Sequence, residues 1–153
     1  MDVSSLQPLV QPLSFLLYFV VLWLVIAGGL ARATGWASLA AKFRRREPLL
    51  GERFTSVSGA MGRGRFPVGY RSCLTVVVGR GGFSLAVLFP FRFLSPPLLI
   101  PWPEVQTVEE GKLLFVRYTV VHLRDQWRVI AIRGLAGQRI KDRYEIALRQ
   151  LEL

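Results

Sequence analysis

The stretch from Leu13 to Leu30, LSFLLYFVVLWLVIAGGL, constrains this chain more than any other, because it runs for eighteen residues without a charged side chain. At ~1.5 Å per helical residue it reaches roughly 27 Å, close to the ~30 Å hydrocarbon thickness of a bilayer. Twelve of the eighteen are Leu, Ile, Val or Phe, which on an insertion scale favour the membrane by roughly 4 to 7 kcal/mol in sum. The expectation is a transmembrane helix over residues 9–31. Two alternatives stand beside it. Ala31-Arg32-Ala33 fits a signal-peptide cleavage site, but the first twelve residues hold no Lys or Arg, and the apolar run is longer than the ~7–15 residues of a signal-peptide core. A buried core helix normally shows a polar face, and this stretch has none.

Orientation follows from the basic residues, since Lys and Arg near a span stay on the cytoplasmic side. Arg32, Lys42, Arg44, Arg45 and Arg46 all follow the span and none precedes it. The N-terminus is therefore expected outside, and the rest of the chain inside, at a cytoplasmic (inner) membrane. What remains after the span is enough for one small domain. The whole chain carries 20 basic and 10 acidic residues, a net charge of +10, which favours anionic partners, either phospholipid headgroups or nucleic acid. For a tethered domain, lipid is the nearer partner. The plainer reading is a solvated surface rich in Arg. Cys73 is the only cysteine, so no internal disulfide forms, and its apolar surroundings suit a buried small residue.

Beyond the span, GWASLAAKF places Trp36, Leu39, Ala40 and Phe43 on one helical face, with Thr34 as a cap and basic residues at its end. Residues 34–46 thus read as an amphipathic basic segment of the headgroup zone; the alternative is that Trp36 and Phe43 pack on the domain that follows. Pro48 and Gly51 mark residues 47–53 as a linker. From there the period becomes strand-like: Arg53 to Met61, Tyr70 to Val78, Phe83 to Phe89 after a Gly79–Gly82 turn, Leu98 to Trp102 with the chain continuing from Glu104 to Val108, Leu113 to Leu123, and Gln126 to Arg133. Turns are expected at Gly111-Lys112 and Arg124-Asp125. The prolines and arginines between Leu74 and Trp102 interrupt a stretch otherwise apolar enough to suggest a second span, and it reads better as buried strands. From Leu135 the pattern turns helical, with Ala136, Ile140, Tyr144, Ala147, Leu148 and Leu151 on one stripe. The open face of the sheet is its natural cover. The fold class expected is α+β: an N-terminal transmembrane helix, then a small antiparallel β barrel or sandwich of about seven strands over residues 54–153, capped by an amphipathic helix.

That order of strands and helix resembles the pleckstrin-homology-like fold, including its GRAM-type branch. The run SPPLLIPWPEVQTVEEGKLLF resembles the middle of bacterial membrane-tethered members, and GWASLAAKF a segment of small bacterial proteins with an N-terminal span. The resemblance covers about residues 36–152 and implies a compact scaffold that binds lipids or peptides. In lipid-binding members, basic side chains of the first hairpin grip an inositol phosphate. Arg63, Arg65 and Arg71 are the positions able to imitate this, without reproducing the family's spaced signature. Together with Lys42, Arg44, Arg45 and Arg46 they are the candidate contacts for anionic lipid.

No constellation here dictates a reaction. His122 is the only histidine, Glu109-Glu110 reads as a solvated turn, and GRGRFPVG lacks the strand-to-helix context of a phosphate-binding loop. The expectation is a non-catalytic binding or scaffolding module without a cofactor. Two other classes are weighed against it. A protein-interaction subunit of a membrane complex would use a sheet edge or a helix–sheet groove. A nucleic-acid binder would interleave aromatic residues with Arg, of which Phe91-Arg92-Phe93 is the one local instance.

Overall fold

The computed structural model describes residues 7–63, 68–89, 91–113, 115–124 and 128–153. Helix α1 (Gln7–Ala33) is followed by the short helix α2 (Trp36–Phe43). Seven strands come next, β1 (Gly51–Arg63), β2 (Val68–Gly79), β3 (Gly82–Val87), β4 (Leu98–Pro101), β5 (Val105–Leu113), β6 (Val116–Leu123) and β7 (Arg128–Arg133), and helix α3 (Leu135–Leu151) closes the chain. The strands form one antiparallel sheet in the order β4-β3-β2-β1-β7-β6-β5. This is the expected α+β layout, with the sheet curled into a half-barrel.

Two irregularities curl it. The β1–β2 register slips between Phe54 and Val57 and again between Val57 and Gly59, and Ser56 and Ser72 both take positive φ, 54° and 52°. Such bulges bend a strand and increase its twist. The Ser58 hydroxyl holds the bend by accepting the Ser72 backbone N–H at 2.9 Å. Past the bend, β1 pairs with β7 from Gly59 to Arg63 while still paired with β2. A Cβ at Gly59 would lie 2.6 Å from the Ala131 carbonyl oxygen, so only glycine fits between these strands. The edge strands β4 and β5 are joined by a single 3-10 turn, Trp102–Glu104, which draws both edges of the curl to one corner.

Pairing carries the core across the sheet, as in the row Phe54, Val76, Leu85, Leu98. Onto this inner surface α3 sets Ala136, Ile140 and Tyr144, and α2 sets Trp36, Leu39, Ala40 and Phe43, all in one continuous apolar cluster. Of the two placements that the α2 stripe allows, the structure shows packing on the domain. Its apolar face is not free for a headgroup zone. Gly35, at φ 75°, takes the cap position of α2, while the Thr34 hydroxyl donates to the Ala31 carbonyl at 3.3 Å and accepts the Trp36 N–H at 3.4 Å.

Several boundaries differ from expectation. Strand β1 already begins at Gly51, inside the expected linker, because Gly51 pairs with Gly79. Gly111 and Lys112 form no turn: they lie within β5, opposite Tyr118 and Arg117, and the hairpin closes between Leu113 and Val116, with Phe115 at φ 75°. Trp102 leaves β4 for the 3-10 turn, where its ring packs on Phe83 and Tyr144. At the end of α3, Leu148 and Leu151 are exposed because the helix outruns the sheet beneath it. The Asp125 turn position lies outside the described residues.

Helix α1 is not a core helix. Its segment Val10–Ala33 is long and apolar enough to cross a membrane, with a mean hydropathy of 2.4, and only 6% of its apolar window is buried in the molecule.

Candidate functional site

The strand directions gather the end of β1, the start of β2, the end of β3 and the start of β4 at one end of the sheet. Here α1 meets the domain. Ala27 and Ala31 are buried against it, and with Tyr70, Arg71, Cys73 and Val87 they line a cleft of about 160 Å³. The β3–β4 connection then runs along α1. Phe91 packs on Trp23 with ring centroids 5.9 Å apart, Leu94 lies beside Gly28, and the Pro96 carbonyl accepts the Trp36 indole N–H at 2.8 Å. As the loop advances in sequence, its contacts climb α1 toward the C-terminal end of the helix.

Burial sets the chemistry of this junction. It pushes the Cys73 thiol above its ordinary value, and it does the same to the Tyr70 phenol despite nearby Thr34, which pulls the other way. The Tyr70 hydroxyl is buried without a hydrogen-bond partner among the described residues. The Thr34 hydroxyl is already engaged with Ala31 and Trp36.

The basic candidates fall into separate places. Lys42 is tied to Glu104 by a 3.2 Å ion pair and lies over the Phe43 ring. Arg44 bridges through its backbone to Leu98, and its side chain and that of Arg46 are exposed. Arg45 folds back on the sheet: its backbone N–H donates to the Pro97 carbonyl at 2.8 Å and its guanidinium donates to the Ser84 hydroxyl at 3.1 Å. Arg71 is exposed beside the end of α1. Arg63 ends β1 opposite Arg128, and Arg65 lies outside the described residues. Among the described candidates, Lys42 and Arg45 are thus committed to partners within the domain, while Arg44, Arg46 and Arg71 are exposed.

A tighter grouping joins Arg45 to two residues not among those candidates. Desolvation lowers the Arg45 pKa from its ordinary value, and repulsion from Arg92 and Arg53 lowers it further. Arg53, Val77 and Ser84 are cross-strand partners in one row, so Arg53 and the Ser84 hydroxyl share a face. Among the described residues no carboxylate forms an ion pair with Arg45, Arg53 or Arg92. Guanidinium groups near enough to Arg45 to repel it, without carboxylate partners, suit a phosphate or another oxyanion, which an arginine can grip through paired N–H donors. Sequence offered a partial signal: Arg92 stands in Phe91-Arg92-Phe93. That Arg53 shares a sheet face with Ser84, the partner of Arg45, depends on strand register.

The remaining titratable groups do not converge among the described residues. His122 Nε2 lies 3.7 Å from the exposed carboxylate of Glu109, and among the described residues no three of His, Cys, Asp and Glu come together in a metal-binding arrangement. No protein-family model matches the chain, and no curated protein matches it.

Proposed function

We propose that this chain is a single-pass protein of the cytoplasmic membrane, with its N-terminus outside and its β-rich domain at the inner face as a non-catalytic binding or scaffolding module. The observation that carries this reading is the exposure of α1: from Leu13 to Ile26 all its large apolar side chains except Trp23, which packs on Phe91, are exposed, a surface suited to lipid. Retention of the helix is favoured over cleavage after Ala33, because Ala31, Thr34 and Trp36 on both sides of that bond are buried. The basic residues that follow the helix favour the inner side.

The strand order and the closing helix are compatible with a pleckstrin-homology-like domain, a scaffold used for binding. Anionic lipid is the ligand we assign, held by Arg45, Arg53 and Arg92, with Arg71 beside the end of α1. Each surface basic residue contributes about 1 kcal/mol to such contacts, screened as salt rises. The test reconstitutes the full chain into zwitterionic nanodiscs containing a small fraction of fluorescent anionic lipid. Enrichment of that lipid around the protein, lost at high salt and reduced by Arg45→Gln with Arg92→Gln, is the expected result. Indifference to lipid charge overturns the lipid role. Carbonate extraction and cysteine accessibility at both ends, in intact and permeabilised cells, test the anchor and its orientation.

A second reading, a protein-interaction subunit of a membrane complex, draws on β5. It ends the sheet, and its Glu109 and Glu110 side chains are exposed in a chain that is otherwise basic. A strand edge of that kind can add a partner's strand. Pull-down from detergent extract would return a stable partner if this reading holds.

A further inference from the structure

The β3–β4 loop carries a second apolar surface that the strand pattern did not reveal. Leu88, Phe89, Phe91 and Phe93 are all exposed, Phe93 at 73% and Phe89 at 68%, and Phe89 and Phe93 stack edge to face with centroids 5.6 Å apart. Exposed aromatic clusters on a soluble surface are costly and mark a surface that something covers. The place of the loop says what. Phe91 lies on Trp23, seven residues before the end of the uncharged run at Leu30, about 10 Å along the helix at ~1.5 Å per residue. The loop is thus level with the apolar part of α1, and its exposed rings continue the outward surface of that helix.

We propose that Leu88, Phe89, Phe91 and Phe93 dip into the bilayer beside α1 as a second, non-spanning membrane contact. The proposal rests on the anchor reading above. If the uncharged run lies in hydrocarbon, whatever packs on Trp23 and Ala27 lies at the same depth, and the residues found there are apolar. Arg92, exposed between two phenylalanines, fits the same placement. A long basic side chain near the interface buries its stem in the apolar layer and returns its charged head to the headgroups. The wedge and the α1 rod would then fix the domain at two points, setting its rotation about the membrane normal as well as its distance from the surface.

The test uses the full chain with Cys73→Ala and one cysteine introduced as Phe93→Cys, Phe19→Cys or Gly81→Cys. Each is labelled with an environment-sensitive fluorophore and reconstituted into phosphatidylcholine vesicles. Labels at 93 and 19 should be quenched by nitroxide-bearing acyl chains and protected from aqueous iodide. The label at 81, on the turn at the far end of the sheet, should show the reverse. A label at 93 that iodide reaches as it reaches 81 overturns the wedge, and so does one shielded from both quenchers, which would indicate a protein partner or a second copy. Quenching by lipid at 19 but not at 93 removes the wedge and leaves the anchor intact. A label at 19 open to iodide overturns both.

Discussion

Helices α1 and α3 are the two long helices of the molecule, and they distribute their side chains in opposite ways. Around α1, Leu13, Phe15, Leu17, Phe19 and Val25 are exposed on every side, and among its described side chains those buried lie in the last turns, at Ala27 and Ala31. Helix α3 is far more polar, yet Ala136, Ile140 and Tyr144 are buried in one stripe while Arg139, Lys141 and Glu145 face outward or pair at the rim. Apolar content therefore does not decide whether a helix is buried in its own protein. The distribution around the circumference does, because a sheet covers one face of a helix, and covering all of them takes further protein or a lipid-like medium.

The largest expected difference comes from truncating one side chain on each helix. Ile140→Ala removes a fully buried side chain from the core cluster and should cost about 2–5 kcal/mol of unfolding free energy. Phe19→Ala removes a larger side chain that touches little of the domain, and should change domain stability by less than ~0.5 kcal/mol. Denaturant titration of both variants in the same detergent, followed by tryptophan fluorescence, measures the pair. Equal losses would break the comparison, since α1 would then be acting as a core helix.

A glycine on each helix sharpens it. A Cβ at Gly137 would lie 2.6 Å from the Ile132 carbonyl oxygen and 2.6 Å from the Thr119 hydroxyl, whereas at Gly29 it would meet nothing within 4 Å. In an unobstructed helix, alanine is better than glycine by about 1 kcal/mol. Gly29→Ala should therefore be neutral or stabilising. Gly137→Ala should instead lower stability by roughly 1–3 kcal/mol, because the strand backbone cannot retreat. A stabilised Gly137→Ala would mean that α3 rides farther from the sheet than the structure has it.

How much of this was legible in the sequence follows from the range of each signal. The eighteen-residue uncharged run, the α3 stripe and the strand periods are local, and helices and strands form on them, with several ends shifted. The α2 stripe was equally visible, but periodicity tells only that Trp36 and Phe43 need a cover. Which cover depends on the Trp36 indole reaching the Pro96 carbonyl, a contact sixty residues away in sequence. The Gly111-Lys112 turn failed for a related reason: glycine is a strong turn signal, yet cross-strand pairing with Tyr118 kept it within β5. Among the candidate lipid contacts, charge alone nominated Lys42, which is committed to Glu104. Nor does charge alone tell that Arg53 shares a sheet face with Ser84, to which Arg45 donates.

Tyr144 gives a smaller effect, and one that belongs to α3 alone. Its hydroxyl donates to the Gln106 carbonyl at 2.8 Å, fastening the helix to the edge strand β5. Tyr144→Phe keeps the ring against Trp102 and should cost ~1 kcal/mol, the net worth of one hydrogen bond. A change indistinguishable from zero in denaturant titration would mean that water replaces the bond without loss.

At the α1 end the corresponding test is pH. Burial raises the Cys73 and Tyr70 pKa values above those of the unfolded chain, so both groups stay neutral in the folded state after their unfolded counterparts have ionised. Their contribution to stability is fully present below the ordinary thiol range and is lost as pH rises through the raised values. Cys73 should also alkylate more slowly than a free thiol at pH 8. Deleting the α1 contact by Ala31→Arg should speed that reaction if the helix shields the cleft.

The smallest effect expected is at the rim of α3, where Arg139 Nε lies 2.9 Å from the Glu52 carboxylate and both side chains are 46% exposed. Exposed pairs of this kind contribute about 0.2–1 kcal/mol, and salt screens them. Arg139→Ala should therefore lower stability slightly at low ionic strength and not measurably at high, in a double-mutant cycle with Glu52→Ala. No such pair exists among the described residues along the apolar run of α1, where there is no charge to screen. Domain docking there should not respond to salt at all. If raising salt loosened the Phe91–Trp23 contact, read as a change in Trp23 fluorescence, electrostatics and not apolar contact would be holding α1 to the domain.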